Sequence, residues 1–303
     1  MDPKTILIAL LIVIAIAYHV FWYMSEKPRR HHHPGDLKPR GLALVAAFIA
    51  NFFDTLGIGS YATTTSMSKL WNIMPDEKIP GTLNVGYVMS TVFQAVIFMT
   101  IVEVEFLTLV SIIAAAVLGA FFGAGIVSGF SRRQVQIGMG SALLVASGLM
   151  VLSMSGQGPA PGVALGLSGA KLGLAVGISF VLGSLMMLGI GYYAPCLIMI
   201  SLLGMDPRVS YPIMMGACAF LMPSGSIQFI RKGSYDLRTA LAFLVAGPIA
   251  VLIAAPLVDR IPLFWLRVLV LVVVLYTAIR MLRSAAIERA AAAAAKTPGI
   301  AEA

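Results

Sequence analysis

Two short stretches of this chain are suited to baring backbone donors. Leu56-Gly57-Ile58-Gly59-Ser60-Tyr61-Ala62 recurs as Leu188-Gly189-Ile190-Gly191-Tyr192-Tyr193-Ala194, differing only at Ser60 and Tyr192. Glycine followed by small hydroxyl residues at the start of an apolar helix leaves the first N–H groups unpaired, and the helix dipole adds partial positive charge there. Such an end binds anions. In the first copy Ser60, Thr63, Thr64 and Thr65 add side-chain donors; in the second Tyr192, Tyr193 and Cys196 replace most of them, with Pro195 preset for a first helical turn. Two such ends converging from opposite sides could hold a compact oxyanion without a Lys or Arg, and would release it more readily than a fixed cation. A lone Gly-x-Gly in an apolar helix is a packing device. Duplication at matched positions inside overlong apolar segments makes binding the stronger reading. The candidate binding residues are therefore Gly57, Gly59, Ser60, Thr63, Thr64, Thr65, Gly189, Gly191, Tyr192, Tyr193 and Cys196.

A second tier of polar residues could line a path or couple to an ion. Asn51 and Asp54 precede the first glycine pair, and an ionisable residue at membrane depth is a functional candidate by default. Asp54 is also readable as a helix cap or as a partner of Lys69. Ser90 and Gln94 share a helical face, with Asn84 half a turn away, and Ser224 and Gln228 occupy the same stretch of the second copy. Helix–helix hydrogen bonding is the plainer explanation of those stripes. Enzymatic chemistry lacks materials: the histidines are His19 and the run His31-His32-His33, which reads as solvated basic loop, and Asp54 has no carboxylate counterpart in the second copy. Cys196 and Cys218 both lie in apolar segments and read as unpaired helix cysteines. Neither a metal nor any cofactor is expected.

The segments that must position these residues are membrane helices. The chain is 59% hydrophobic and 11% charged, too apolar for a soluble domain and apt for a bundle that faces lipid. Its net charge of +8 does not call for nucleic acid, because the basic residues fall between apolar runs and serve orientation instead. Apolar segments run over 5–24, 41–71, 82–102, 106–130, 135–155, 171–204, 211–230, 239–258 and 262–283, and the glycine pairs interrupt the two longest. The likeness continues downstream, Gly86 with Gly216, Gly119 with Gly247 and Arg132 with Arg260. The expected division is a leader helix and basic loop (1–40), two repeats (41–155 and 156–284) and an Ala-rich tail (285–303) that frays. If both broken segments cross, the 21 Lys and Arg divide 13 inside to 8 outside; if both are re-entrant, leaving seven crossings, they divide 16 to 5. The positive-inside rule favours the second. Three crossings per repeat is odd, so the copies are inverted. The reading is an all-α polytopic membrane protein: a leader helix and two inverted repeats, each a re-entrant glycine-broken hairpin with three transmembrane helices, N-terminus outside and C-terminus cytoplasmic.

The hairpin Asn51–Leu70, the break Leu188–Ser201 and the two-repeat layout resemble the sulfite exporter TauE/SafE family of anion permeases, over approximately 41–283. The first break departs from the family's frequent run of glycines at Gly59-Ser60-Tyr61. The resemblance implies a permease of the bacterial inner membrane for sulfite or an organosulfonate such as sulfoacetate, with the two breaks holding the anion and access alternating between sides. A passive anion channel of the same architecture is the alternative. The implied partners are the anion and the lipid bilayer. A homodimer and a coupling proton or sodium ion are compatible with the sequence and not specified by it.

Overall fold

The computed structural model describes residues 2–32, 38–123, 132–155, 162–186, 191–260 and 262–295. Among them the chain is helical between short connections, and its one β feature is an isolated bridge between Ala164 and Met205. The helices are α1 (Pro3–His32), α2 (Gly41–Thr55), α3 (Ser60–Leu70), α4 (Ile79–Ile101), α5 (Phe106–Leu118), α6 (Arg132–Met154), α7 (Gly169–Met186), α8 (Tyr193–Leu202), α9 (Ser210–Lys232), α10 (Leu237–Arg260) and α11 (Leu263–Ala295). Pro3–Lys27, Ile79–Ile101, Gly169–Met186, Pro207–Lys232 and Leu237–Val258 are each long and apolar enough to cross a membrane. The protein is thus an all-α polytopic membrane protein.

Two helices form the axis. The membrane-length windows of α4 and α9 are each 67% buried within the protein, against 22% for α1, so α1 faces lipid at the periphery. Its inward stripe, Leu11, Ala15, Tyr18 and Trp22, is nevertheless buried. Tyr18 Oη donates to the Val85 carbonyl at 3.1 Å, and Trp22 Nε1 donates to Tyr235 Oη at 2.9 Å, which in turn donates to Glu26 at 2.5 Å. Buried hydroxyl and indole donors need such partners, and here they fasten α1 to α4 and to the connection between α9 and α10.

The glycines matched in sequence sit at matched contacts. Gly86 brings α4 onto Ala240 and Phe243 of α10, and Gly216 brings α9 onto Met99 of α4 and Ile113 of α5. Gly119 sets the end of α5 against the Phe180 backbone of α7, while Gly247 sets α10 against Ser90 and Asn51, in α4 and α2. At the first of these sites Ser184 Oγ donates to the Gly119 carbonyl at 2.8 Å, where a π turn over Gly119–Gly123 leaves the α-helical pattern. Helix packing follows the same exchange: α2 packs on α10 as α5 packs on α7, α4 on α10 as α5 on α9, while α4–α9 and α6–α11 pair with one another.

Two boundaries differ from expectation. The leader helix runs past Pro28 to His32, so His31 and His32 end a helix rather than lie in a loop, while His33 lies outside the described residues. The final helix continues to Ala295 because the Ala-rich sequence after Ala285 has high helix propensity. The expected span over 106–130 is described only as far as Gly123.

Candidate functional site

The first break is made by backbone conformation. Gly57 has φ +95° and Gly59 φ +86°, the left-handed region that side chains disfavour. The Gly57 N–H bonds to the Asp54 carbonyl at 2.8 Å and the Ile58 N–H to the Phe53 carbonyl at 3.0 Å, a paired C-terminal cap that terminates α2. Gly59 then opens α3 without a side-chain cap of its own. The Asp54 carboxylate reaches across the break instead: the Ser60 N–H donates to its Oδ1 at 2.5 Å. Of the two structural roles weighed for Asp54, the cap is observed; the side chain of Lys69, the other partner weighed, lies outside the described residues.

Asp54 also starts a chain of hydrogen bonds that ends in the other break. Gln94 Nε2 on α4 donates to Asp54 Oδ2 at 2.9 Å and to Thr55 Oγ1 at 3.0 Å, and the Tyr193 hydroxyl donates to Gln94 Oε1 at 3.1 Å. Tyr193 is the first residue of α8. Asp54, Gln94 and Tyr193 are all buried, so Ser60 N–H, Asp54, Gln94 and Tyr193 tie the N-terminus of α3 to that of α8. In the second break Tyr192 shares a 2.6 Å hydrogen bond with Ser179. Gly189 lies outside the described residues.

A cavity of about 180 Å³ opens between the breaks. Of the residues anticipated as binding, Gly59, Ser60, Thr65, Gly191, Tyr192 and Tyr193 line it, and Asp54 lines it too. Gly57, Thr63, Thr64 and Cys196 do not. Gly57 packs against the Tyr211 ring and Leu197. Thr63 Oγ1 donates to the carbonyls of Gly59 and Ser60, Thr64 pairs with Tyr87 Oη at 2.8 Å, and Cys196 is fully buried. The physical reason is rotation: consecutive residues on a helix point about 100° apart, so three threonines in a row cannot all face one cavity.

The path residues divide similarly. Gln94 is central, as described. Asn51 and Asn84 are buried, and each donates to its own helix, to Ala47 and Pro80 carbonyls at 2.9 Å. Ser224 and Gln228 lie on the exposed side of α9, Ser224 is bonded back to the Leu221 carbonyl, and neither lines the cavity. In the second copy Asp54 corresponds to Met186, and Met186 contacts Cys218.

The site also contains a cation that the reading of the breaks omitted. Arg280 on α11 lines the cavity together with Thr277, Met281 and Ser284. Arg280 is exposed, and its guanidinium donates to Ser66 Oγ on α3 at 2.6 Å. The cavity lining therefore holds helix N-termini, hydroxyls and one guanidinium, where the reading of the breaks had only the first two. A signal was present: 277, 280, 281 and 284 follow i, i+3, i+4, i+7 spacing, one helical face.

Glycine substitutions separate the roles. Gly57→Val should cost about 1–3 kcal/mol in stability, because the left-handed backbone is strained for a β-branched residue. An added Cβ at Gly191 meets nothing within 4 Å, so Gly191→Val should melt within about 0.5 kcal/mol of the parent while narrowing the cavity and suppressing transport. Thermal melts in detergent alongside flux assays check both; full flux in Gly191→Val would place the route elsewhere.

Residues 2–151, about half of the chain, match the model of the family described as Sulfite exporter TauE/SafE. That stretch contains the leader, the first break and Gln94. Neither a curated protein nor a solved structure gives a significant match.

Proposed function

With that half of the chain belonging to the sulfite exporter TauE/SafE family, we propose that the protein is a secondary transporter for a small sulfur-containing anion, sulfite or an organosulfonate such as sulfoacetate, in a bacterial inner membrane. The observation that carries this reading is the cavity between the breaks, where the N-terminal turns of α3 and α8 meet one guanidinium. Its volume, about 180 Å³, is several times the roughly 30 Å³ share of a water molecule, enough for a compact oxyanion. Backbone that leaves the helix at membrane depth is tolerated where it lines such a cavity, and matched breaks are the materials of alternating access between two repeats. The exchange of helix contacts between matched glycines supports a two-fold relation of 41–155 to 156–284.

In the topology with seven crossings, Gln136, Arg280 and Ser284, which line the cavity, belong at the cytoplasmic ends of their helices, and this reading has the cavity open to the cytoplasm. Single cysteines at Lys78 and Arg132, in a background lacking Cys196 and Cys218, should then react only from that side. Labelling from outside would remove the re-entrant hairpin. Transport itself is tested by thermal stabilisation of the purified protein against a panel of small anions, since a ligand bound to the folded state raises the melting temperature by mass action. Sulfite and sulfoacetate should stabilise in a saturable way and chloride should not; an equal response to all would remove the sulfur-anion assignment.

A further inference from the structure

The N-terminus of α3, the natural seat for an anion, already holds one. The Asp54 carboxylate is 3% exposed, accepts the Ser60 N–H at 2.5 Å through Oδ1 and the Gln94 amide at 2.9 Å through Oδ2, and lines the cavity. The titratable groups turned toward it are Tyr61 from α3, Tyr87 from α4, Tyr193 from α8 and Cys218 from α9. None of these is a cation. The one positive side chain at the cavity among the described residues, Arg280, is engaged with Ser66. The Tyr61 hydroxyl is buried without a hydrogen-bond partner, a donor left free beside the seat.

A substrate oxyanion and an ionised Asp54 would compete for the same N–H groups, and like charges cannot share a low-dielectric site without a large penalty. We propose that Asp54 is an internal surrogate for the substrate and the proton-coupling site: the transported anion takes the α3 terminus only when Asp54 has bound a proton. This rests on the transport reading and extends it to the coupling ion. Protonation converts one Asp54 oxygen into a donor, ends its competition for the Ser60 N–H, and adds a hydrogen bond available to the anion. The proton enters the carboxyl as the anion enters the cavity, both leave on the far side, and the Ser60 N–H is covered again by the emptied carboxylate. Anion and proton therefore move together. Gln94, bonded to both Asp54 and Tyr193, passes the change at the first break to the second.

The test uses the purified full-length chain with sulfoacetate, which keeps a constant charge from about pH 6 to about pH 8, whereas sulfite itself changes protonation there. Binding linked to uptake of one proton weakens by up to about tenfold per pH unit over the range in which the carboxylate is ionised. Wild-type affinity should fall in this way as pH rises, and Asp54→Asn, which is uncharged and has no proton to gain, should show little pH dependence in whatever binding it retains. In liposomes containing a pH-sensitive dye, an inward sulfoacetate gradient should acidify the lumen with wild type, and Asp54→Asn should abolish the acidification. Wild-type binding that is flat with pH, or sulfoacetate flux without proton movement, would overturn the inference and leave the transport reading intact. Wild-type protein that neither binds nor carries any sulfur anion at any pH would overturn both. Should Asp54→Asn fail to fold, the wild-type pH profile and proton flux decide alone.

Discussion

Arg280→Gln is expected to weaken sulfoacetate binding about tenfold at physiological ionic strength, with a larger loss in dilute buffer. A hydrogen bond to a charged group contributes roughly 1.5–3 kcal/mol, and about 1.4 kcal/mol is a factor of ten in Kd. The lower end applies because Arg280 is exposed, so solvent and salt screen it. Arg280→Lys should fall between, since it keeps the charge and loses the planar fork that reaches Ser66 and an anion together. Equilibrium binding at two salt concentrations measures this. Unchanged affinity in Arg280→Gln would take the guanidinium off the anion and return binding to the helix ends alone.

Gly183→Leu is expected to cost about 3–5 kcal/mol and to abolish transport, the largest effect of any single change considered. A Cβ at Gly183 overlaps the backbone carbonyl of Ala116, and backbone cannot rotate away as a side chain can. Overpacking a well-filled contact costs about 1–3 kcal/mol by itself. Separating α5 from α7 would further strain the bonds from Ser179 to the Ile112 carbonyl and from Ser184 to the Gly119 carbonyl, each worth about 0.6–2 kcal/mol within a membrane protein. Because α7 leads into the second break, loss of this contact also releases one wall of the cavity. Melting in mild detergent should show the fall; a parental melting temperature would mean that α5 and α7 do not pack this closely.

The breaks were legible because backbone geometry leaves a residue signature. Gly57 and Gly59 stand where only glycine takes positive φ easily, so the first break at least could be read from its residues. The direction of each side chain was less legible. Thr63, Thr64 and Thr65 are equivalent as composition, yet helical rotation sends one to the cavity and two to hydrogen bonds elsewhere. Ser224 and Gln228 mirrored the first copy in sequence and diverged from it in structure, because Gln94 turns inward to Asp54 and Thr55 while the second copy offers Met186. Arg280 was counted among the charges at a membrane edge, which hid its place on one face with Thr277 and Ser284. The end of the leader helix was less legible, because α1 runs past Pro28 to His32.

The central claim, that a sulfur anion sits between the two breaks, is tested most directly by protection of single cysteines. Ser60→Cys on α3 and Thr277→Cys on α11 line the cavity from opposite walls, whereas Thr63 bonds to its own helix and does not line it. In a background lacking Cys196 and Cys218, a small thiol reagent should modify positions 60 and 277, and saturating sulfoacetate should slow both reactions about tenfold or more, the occupancy expected at ten times Kd or above. Modification at Thr63→Cys should be insensitive to sulfoacetate. Rates at 60 and 277 that do not respond to the anion, in protein that sulfoacetate still stabilises against heat, would place the binding site outside this cavity.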